Sequence, residues 1–250
     1  MSSNASHNAP PQGVLPRNDY LEYSAPFAAL AEASERSAFV TRTYMNLAAA
    51  IFSLVALEFA LFQIPGVEQL VQLMMGSQAS WLVVLGLFMG VSWIANSWAL
   101  GATDIKMQYA GLGLYVVAQA FILLPLLYLA SLHYPDAIFL AAGTTLALFG
   151  LLTGVVFFTR HDFSFMRPFL LFGGLAAFGL IVVSLLFSFQ LGPIFAYAMV
   201  ALACCYILYE TSNIMHHYRT SQHAAAALAL FASVVLLFWY ILQIFLSRRD

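Results

Sequence analysis

The stretch Pro193 to Leu246, PIFAYAMVALACCYILYETSNIMHHYRTSQHAAAALALFASVVLLFWYILQIFL, decides the fold of this chain. It holds two apolar runs joined by a short polar turn. Each run approaches the ~20 residues an α-helix needs to cross ~30 Å of hydrocarbon. The first run ends in Tyr206-Ile-Leu-Tyr209-Glu210-Thr211-Ser-Asn213. Glu210 is one of two acids set inside apolar runs; the other is Glu58. A charged residue at the centre of a span costs roughly 2.5–3.5 kcal/mol on insertion scales, so it normally faces the bundle interior, a partner or water.

The rest of the chain repeats this pattern. Of its 250 residues, 62% are hydrophobic and 8% are charged, against about 25% charged in soluble domains. Seven runs fall at about 44–64, 81–101, 109–131, 137–158, 167–189, 193–212 and 224–246. Continuous apolar runs, instead of alternating residues, exclude a membrane β-barrel. The expected fold is an all-α integral membrane protein, a bundle of seven transmembrane helices. Residues 1–36 lack an apolar signal segment and read as a disordered N-terminal tail. Residues 37–250 form the transmembrane domain.

Basic residues set the orientation. Arg17, Arg36, Arg42, Lys106, Arg160, Arg167 and Arg219 all fall on one side of the seven crossings. The opposite connections carry Glu68, His133 and Asp136 but no Lys or Arg. The N-terminus is therefore expected in the cytoplasm. Arg248 and Arg249 disagree, because an odd number of crossings places them outside; the last run is still long enough to cross fully.

Small residues recur at spacing four: Gly86 and Gly90, Gly150 and Gly154, Gly173 and Ala177. These read as seams where helix backbones approach. Pro125 is expected to kink the third crossing.

The chemistry-bearing inventory is short. Glu58 follows Arg42 by about 16 residues, ~24 Å along a helix, which puts it toward the outer mouth. Glu210 lies toward the cytoplasmic end, so the two acids cannot form a close catalytic pair. Glu210 has two readings. It is a gate residue sensitive to protons or cations, or a carboxylate at a helix end paired with Arg42 or Arg219. His216, His217 and His223 cluster in one turn, but their spacing matches no zinc ligand set, so no metal is expected. The only lysine, Lys106, lies outside the runs, which excludes a Schiff-base chromophore there. No intramembrane Ser/His pair, metal triad or phosphate-cradling loop occurs. The chain is therefore expected not to be an enzyme and to need no cofactor. Adjacent Cys204 and Cys205 read as reduced packing residues. The net charge of −2 gives no basis for nucleic-acid binding.

Three segments resemble the Bax-inhibitor family (transmembrane Bax inhibitor motif proteins) in a bacterial form. They are Phe39-Val-Thr-Arg42-Thr-Tyr44, Phe158-Thr-Arg160-His-Asp162-Phe-Ser164, and Ile207-Leu-Tyr209-Glu210-Thr211 with Ala227-Leu-Ala-Leu-Phe231 and Leu237-Phe-Trp-Tyr240. The resemblance covers about 39–246. It implies a seven-helix bundle with the last helix central, in the bacterial inner membrane. It implies a pH-sensitive calcium leak closed by two paired aspartates. Glu210 stands at the first of these positions and Ser233 at the second, so the paired acid is absent here. The expectation is a cation leak channel or permease-like protein gated by Glu210, with Ser233 its nearest partner and calcium or protons its ligands. The alternative that the resemblance implies is a non-transporting regulator bound to a membrane protease or another membrane complex.

Overall fold

Backbone N–H and C=O groups in hydrocarbon can be satisfied only within their own helix or a closed barrel. The apolar runs form helices throughout the computed structural model, which describes residues 25–101 and 104–248. In chain order these are α1 (Ala33–Phe62), α2 (Val67–Met75), α3 (Gln78–Gly101), α4 (Ile105–His133), α5 (Pro135–Thr159), α6 (Arg167–Phe187), α7 (Gly192–His216) and α8 (His223–Ser247), with a 3₁₀ turn at Ser164–Met166. All but α2 are long and apolar enough to cross a membrane. The chain is a multi-pass membrane protein.

The last helix is central. In its most apolar window α8 is 72% buried, against 56% for α4 and 6–28% for the other five spans. It touches α1, α3, α4, α5 and α7. Its first turns are Ala224 to Ala227, all buried, and such small side chains let neighbouring backbones close in. Outward from α8 the surface carries large apolar groups such as Phe52, Trp93, Phe139 and Phe172. In water these would be a liability, and in lipid they are the matching solvent.

Two helical boundaries differ from expectation. α1 begins at Ala33, about three turns before the apolar run. Its buried stripe Phe39, Thr43, Leu47, Ala50, Leu54 and Glu58 is continuous with that extension. Between α1 and α3 lies α2, which was expected to be a plain connection. It starts at Gly66, whose φ of 89° suits glycine. It buries Val67 and Val71 on Leu124 of α4.

The small-residue seams fall elsewhere too. A Cβ added at Gly86, Gly90 or Gly150 would meet nothing within 4 Å, so these glycines face open space. The tight seam is Gly111 of α4. A Cβ there would come within 2.5 Å of the Ala95 carbonyl and 2.8 Å of the Ala99 nitrogen on α3. Gly173 does pack, against Leu202. Pro125 sits inside α4, which runs unbroken from Ile105 to His133.

The basic connections gather at one end, as their sequence positions require. Asn46 of α1 bonds His223 of α8 at 3.1 Å, and Tyr109 of α4 reaches Asn46 at 3.4 Å. At the opposite end Gln78 donates to Ser188 at 2.7 Å, and Phe62 stacks on Tyr128.

Candidate functional site

At the basic end the turn between α7 and α8 folds back over the last residues of α7. Glu210 and Asn213 lie three residues apart, on the same helix face, and the Asn213 amide donates to Glu210 Oε2 at 3.4 Å. The Tyr218 hydroxyl, from the turn, also donates to the Glu210 carboxylate. Burial first, and then the negative charge of Glu210, push the Tyr218 hydroxyl far above the usual phenol range. Tyr218 therefore remains a proton donor at any physiological pH.

Asn213 and Tyr218 are also walls of a cavity of about 340 Å³. Ser164 lines it from the 3₁₀ turn, Arg167 from the start of α6, Tyr209 from α7, and His217 and Gln222 from the turn after α7. Glu210 thus lies directly behind the cavity wall. Next to it in sequence, the fully buried Thr211 sits beside the hydroxyl of Tyr44 on α1, which also faces Thr153 on α5.

The rim of the cavity is braced by the connection after α5. Ser212 accepts the Phe163 N–H at 2.9 Å. Asp162 accepts the Ser164 N–H at 2.9 Å and pairs with His217 Nε2 at 3.3 Å. The Ser164 N–H, aided by the Ser164 hydroxyl and His217, holds the Asp162 carboxyl below the ordinary range.

A second brace comes from residues 25–32. Ala28 donates its N–H to the Tyr218 carbonyl at 2.9 Å, and Thr220 donates to the Pro26 carbonyl at 3.1 Å. Arg219 donates to the Ala25 carbonyl at 3.2 Å, and its guanidinium lies 4.9 Å from the Phe27 ring centroid. Thr220 donates to Glu35 at 2.6 Å. This segment grips the residue that holds Glu210. The tail expected over residues 1–36 is therefore built from Ala25 onward, and residues 1–24 lie outside the described residues.

These contacts revise several expected roles. The neighbours of Glu210 are Asn213 and Tyr218, while Ser233 donates its hydroxyl to Ala229 of its own helix at 3.0 Å. A serine in an apolar helix has the i−4 carbonyl always within reach. Arg219 reaches the N-terminal segment, and Arg42 faces His223. Glu58 lies one turn from the far end of α1 and is 6% exposed, and among the described residues neither of its carboxyl oxygens has a hydrogen-bond partner. Asn213 was detectable as the i+3 neighbour of Glu210. Tyr218 was not, because a turn brings it back through space.

A family model described as "Inhibitor of apoptosis-promoting Bax1" matches residues 36–250. The chain belongs to the Bax inhibitor family. Similar proteins in this family's range include Protein LIFEGUARD 2 of Arabidopsis thaliana, 30% identical over 55% of this chain and 59% of its own length. Protein LIFEGUARD 4 of the same plant is 30% identical over 56% and 57%. An uncharacterized protein of Pseudomonas aeruginosa is 35% identical over 42% and 46%. The chain thus spans about half the length of the curated relatives it matches. The Bax inhibitor match begins just after α1 does, and it takes in Glu210, Asn213, Tyr218 and the whole cavity.

Proposed function

We propose that this Bax inhibitor family protein is a pH-sensitive cation leak, for calcium in the first instance, with Glu210 as its gate and proton sensor. The observation that carries the reading is the position of that carboxylate. It lies behind the wall of a polar cavity and is held by Asn213 and Tyr218 from that same wall. Ionised Glu210 accepts both bonds and keeps the wall closed. A protonated Glu210 accepts them poorly, so the Tyr218 turn loosens and the cavity communicates with the interior hydroxyls of Tyr44, Thr153 and Thr211. With one acid instead of two, the pH response is that of a single group, shallower than a coupled pair gives. Ser233, about a turn deeper on α8, is the next oxygen on the way, and Glu58 lies toward the far end. In this reading the basic end faces the cytoplasm of a bacterial inner membrane, and no catalytic step is involved.

The test is calcium influx into proteoliposomes at several pH values, with Glu210→Gln alongside. The expected result is pH-dependent flux in the parent protein and a pH-flat flux in the variant. Identical flux profiles from the two would remove Glu210 from the mechanism.

A second reading is favoured by the N-terminal brace on Tyr218. A regulator docked on residues 1–24, a membrane protease among the candidates, would act without any ion passing. Removing residues 1–24 while keeping the brace separates the two: the leak keeps its flux, whereas a regulator loses its partner.

A further inference from the structure

Three hydroxyls from three helices meet inside the basic end. The Tyr44 hydroxyl of α1 faces Thr211 of α7 and Thr153 of α5. All three oxygens are sealed from the surface, and among the described residues none of them has a hydrogen-bond partner. Other helical hydroxyls of this chain satisfy themselves on their own backbone. Thr43 donates to the Phe39 carbonyl at 3.0 Å, Thr159 to the Val155 carbonyl at 2.8 Å and Ser233 to the Ala229 carbonyl at 3.0 Å. The same i−4 carbonyl is within reach of any helical threonine. Thr153 and Thr211 leave it unused and turn toward Tyr44 instead. The Tyr44 ring is held in place against Phe149 and Phe157 of α5, with centroids 6.4 and 5.8 Å away. An idle buried hydroxyl lowers stability. Three of them facing one another without bonding are accounted for by one shared partner that both donates and accepts.

We propose that the Tyr44, Thr153 and Thr211 hydroxyls bind a water molecule between α1, α5 and α7. A buried water makes about three hydrogen bonds to otherwise unsatisfied polar groups, and three hydroxyls converge here. Each hydroxyl both donates and accepts, so the set adapts to whichever bonds the water offers. Calcium fits worse, because it takes about six to eight oxygens, with carboxylates among them. Thr211 directly follows Glu210 in the chain, which makes this water the first hydrated position inward of that carboxylate. Its place on a cation path rests on the proposed leak; the site itself does not.

Purified full-length protein in neutral detergent is exposed to short X-ray pulses, which turn bound water into hydroxyl radicals, and oxidised residues are located by mass spectrometry. Tyr44 is oxidised in the parent. Thr211→Val and Thr153→Val keep the side-chain shape and remove a hydroxyl, and each lowers Tyr44 oxidation several-fold. Thr211→Ser keeps the hydroxyl and oxidises Tyr44 as the parent does. Tyr240, buried on α8 away from the three hydroxyls, is oxidised equally in all four proteins, which shows that the fold is kept. The thermal midpoint is the second reading. It falls in each valine variant, because the water and the remaining hydroxyls lose a partner, and it is the same in sodium, potassium and choline buffers. A midpoint raised by sodium only where Thr211 is present would make the occupant a cation and overturn the water. Tyr44 oxidation unchanged in both valine variants, or valine variants more stable than the parent, overturns the site altogether. No flux is read, so failure of the leak leaves this result standing.

Discussion

Glu58 and Glu210 are the same side chain in two settings. Glu210 is partly buried at the polar end, and Asn213 and Tyr218 donate to it. Glu58 is buried on the α1 stripe one turn from its far end, with neither oxygen partnered among the described residues. What separates the two acids is the supply of donors, more than depth in the membrane. A buried polar group with partners holds structure together, and one without them is retained at a cost. The pair teaches that the polar end is built to hold a charge in a fixed place, while the far end of α1 tolerates an acid that nothing among the described residues satisfies.

The sharpest way to break this contrast is replacement of each acid by leucine, with thermal unfolding followed in one detergent. Glu210→Leu leaves the Asn213 amide and the Tyr218 hydroxyl without their acceptor, and lowers stability by about 1–3 kcal/mol. Glu58→Leu removes two stranded oxygens at similar volume, and raises stability by about 1–3 kcal/mol. The opposite signs are the prediction. If both variants fall, Glu58 has a partner in the working protein that the contrast leaves out. A stabilised Glu58→Leu that also loses flux would mark Glu58 as retained for function.

Tyr218→Phe sharpens the Glu210 half. It removes one donor and leaves the ring, a loss of about 1 kcal/mol, which on the proposed leak is roughly fivefold in the closed-to-open ratio. Resting calcium flux at neutral pH should rise by that factor, and Glu210→Gln should abolish the difference between Tyr218 and Phe. Independent, additive effects in that double-mutant cycle would break the coupling.

Much of this was legible in the sequence, for reasons that differ by element. The seven spans are sums of apolar transfer over about 20 residues, and such sums are robust to any single residue. The central position of the last helix came from family resemblance, and its Ala224–Ala227 start makes physical sense of it. Glu210 announced itself because an acid in an apolar run has few places to go. Its partners did not. Tyr218 meets Glu210 only because the turn folds back under the grip of residues 25–32, and no local periodicity encodes that. Ser233 was expected opposite Glu210 from the family resemblance, but a serine hydroxyl satisfies itself on its own helix. The start of α1 was hidden by polar residues that become helical through packing. The glycine spacing in α3 and α5 was visible, but spacing does not say which face meets a neighbour and which meets lipid.

The N-terminal brace gives a weaker test of the polar end. Thr220→Val removes the 2.6 Å bond to Glu35 and costs about 0.5–1.5 kcal/mol locally. Hydrogen exchange at residues 217–222 should speed up roughly three- to tenfold, while exchange in the middle of α8 stays unchanged. Uniform speeding across α8 would mean that the brace supports the whole bundle and is not specific to the Glu210 end.

The smallest effect comes from the third acid at this end, Asp162, which is largely in water yet well supplied with donors. Its folded carboxyl lies below the ordinary value, which is near 4 in the unfolded chain. A depressed folded pKa contributes stability that is complete above about pH 4 and is lost as pH falls through the folded value. The connection at residues 160–166 should therefore stay docked on Ser212 and His217 from neutral pH down to about pH 4, and loosen only below it. Limited proteolysis or amide exchange at Phe163 and Ser164 against pH reads this directly, and Asp162→Asn should flatten the acid limb while leaving neutral behaviour nearly intact. Exposure to water keeps the amplitude small. If the connection instead loosened well above pH 4, Asp162 would not be the group that holds it, and the idea that donor supply to carboxylates organises this end would fail at its third acid.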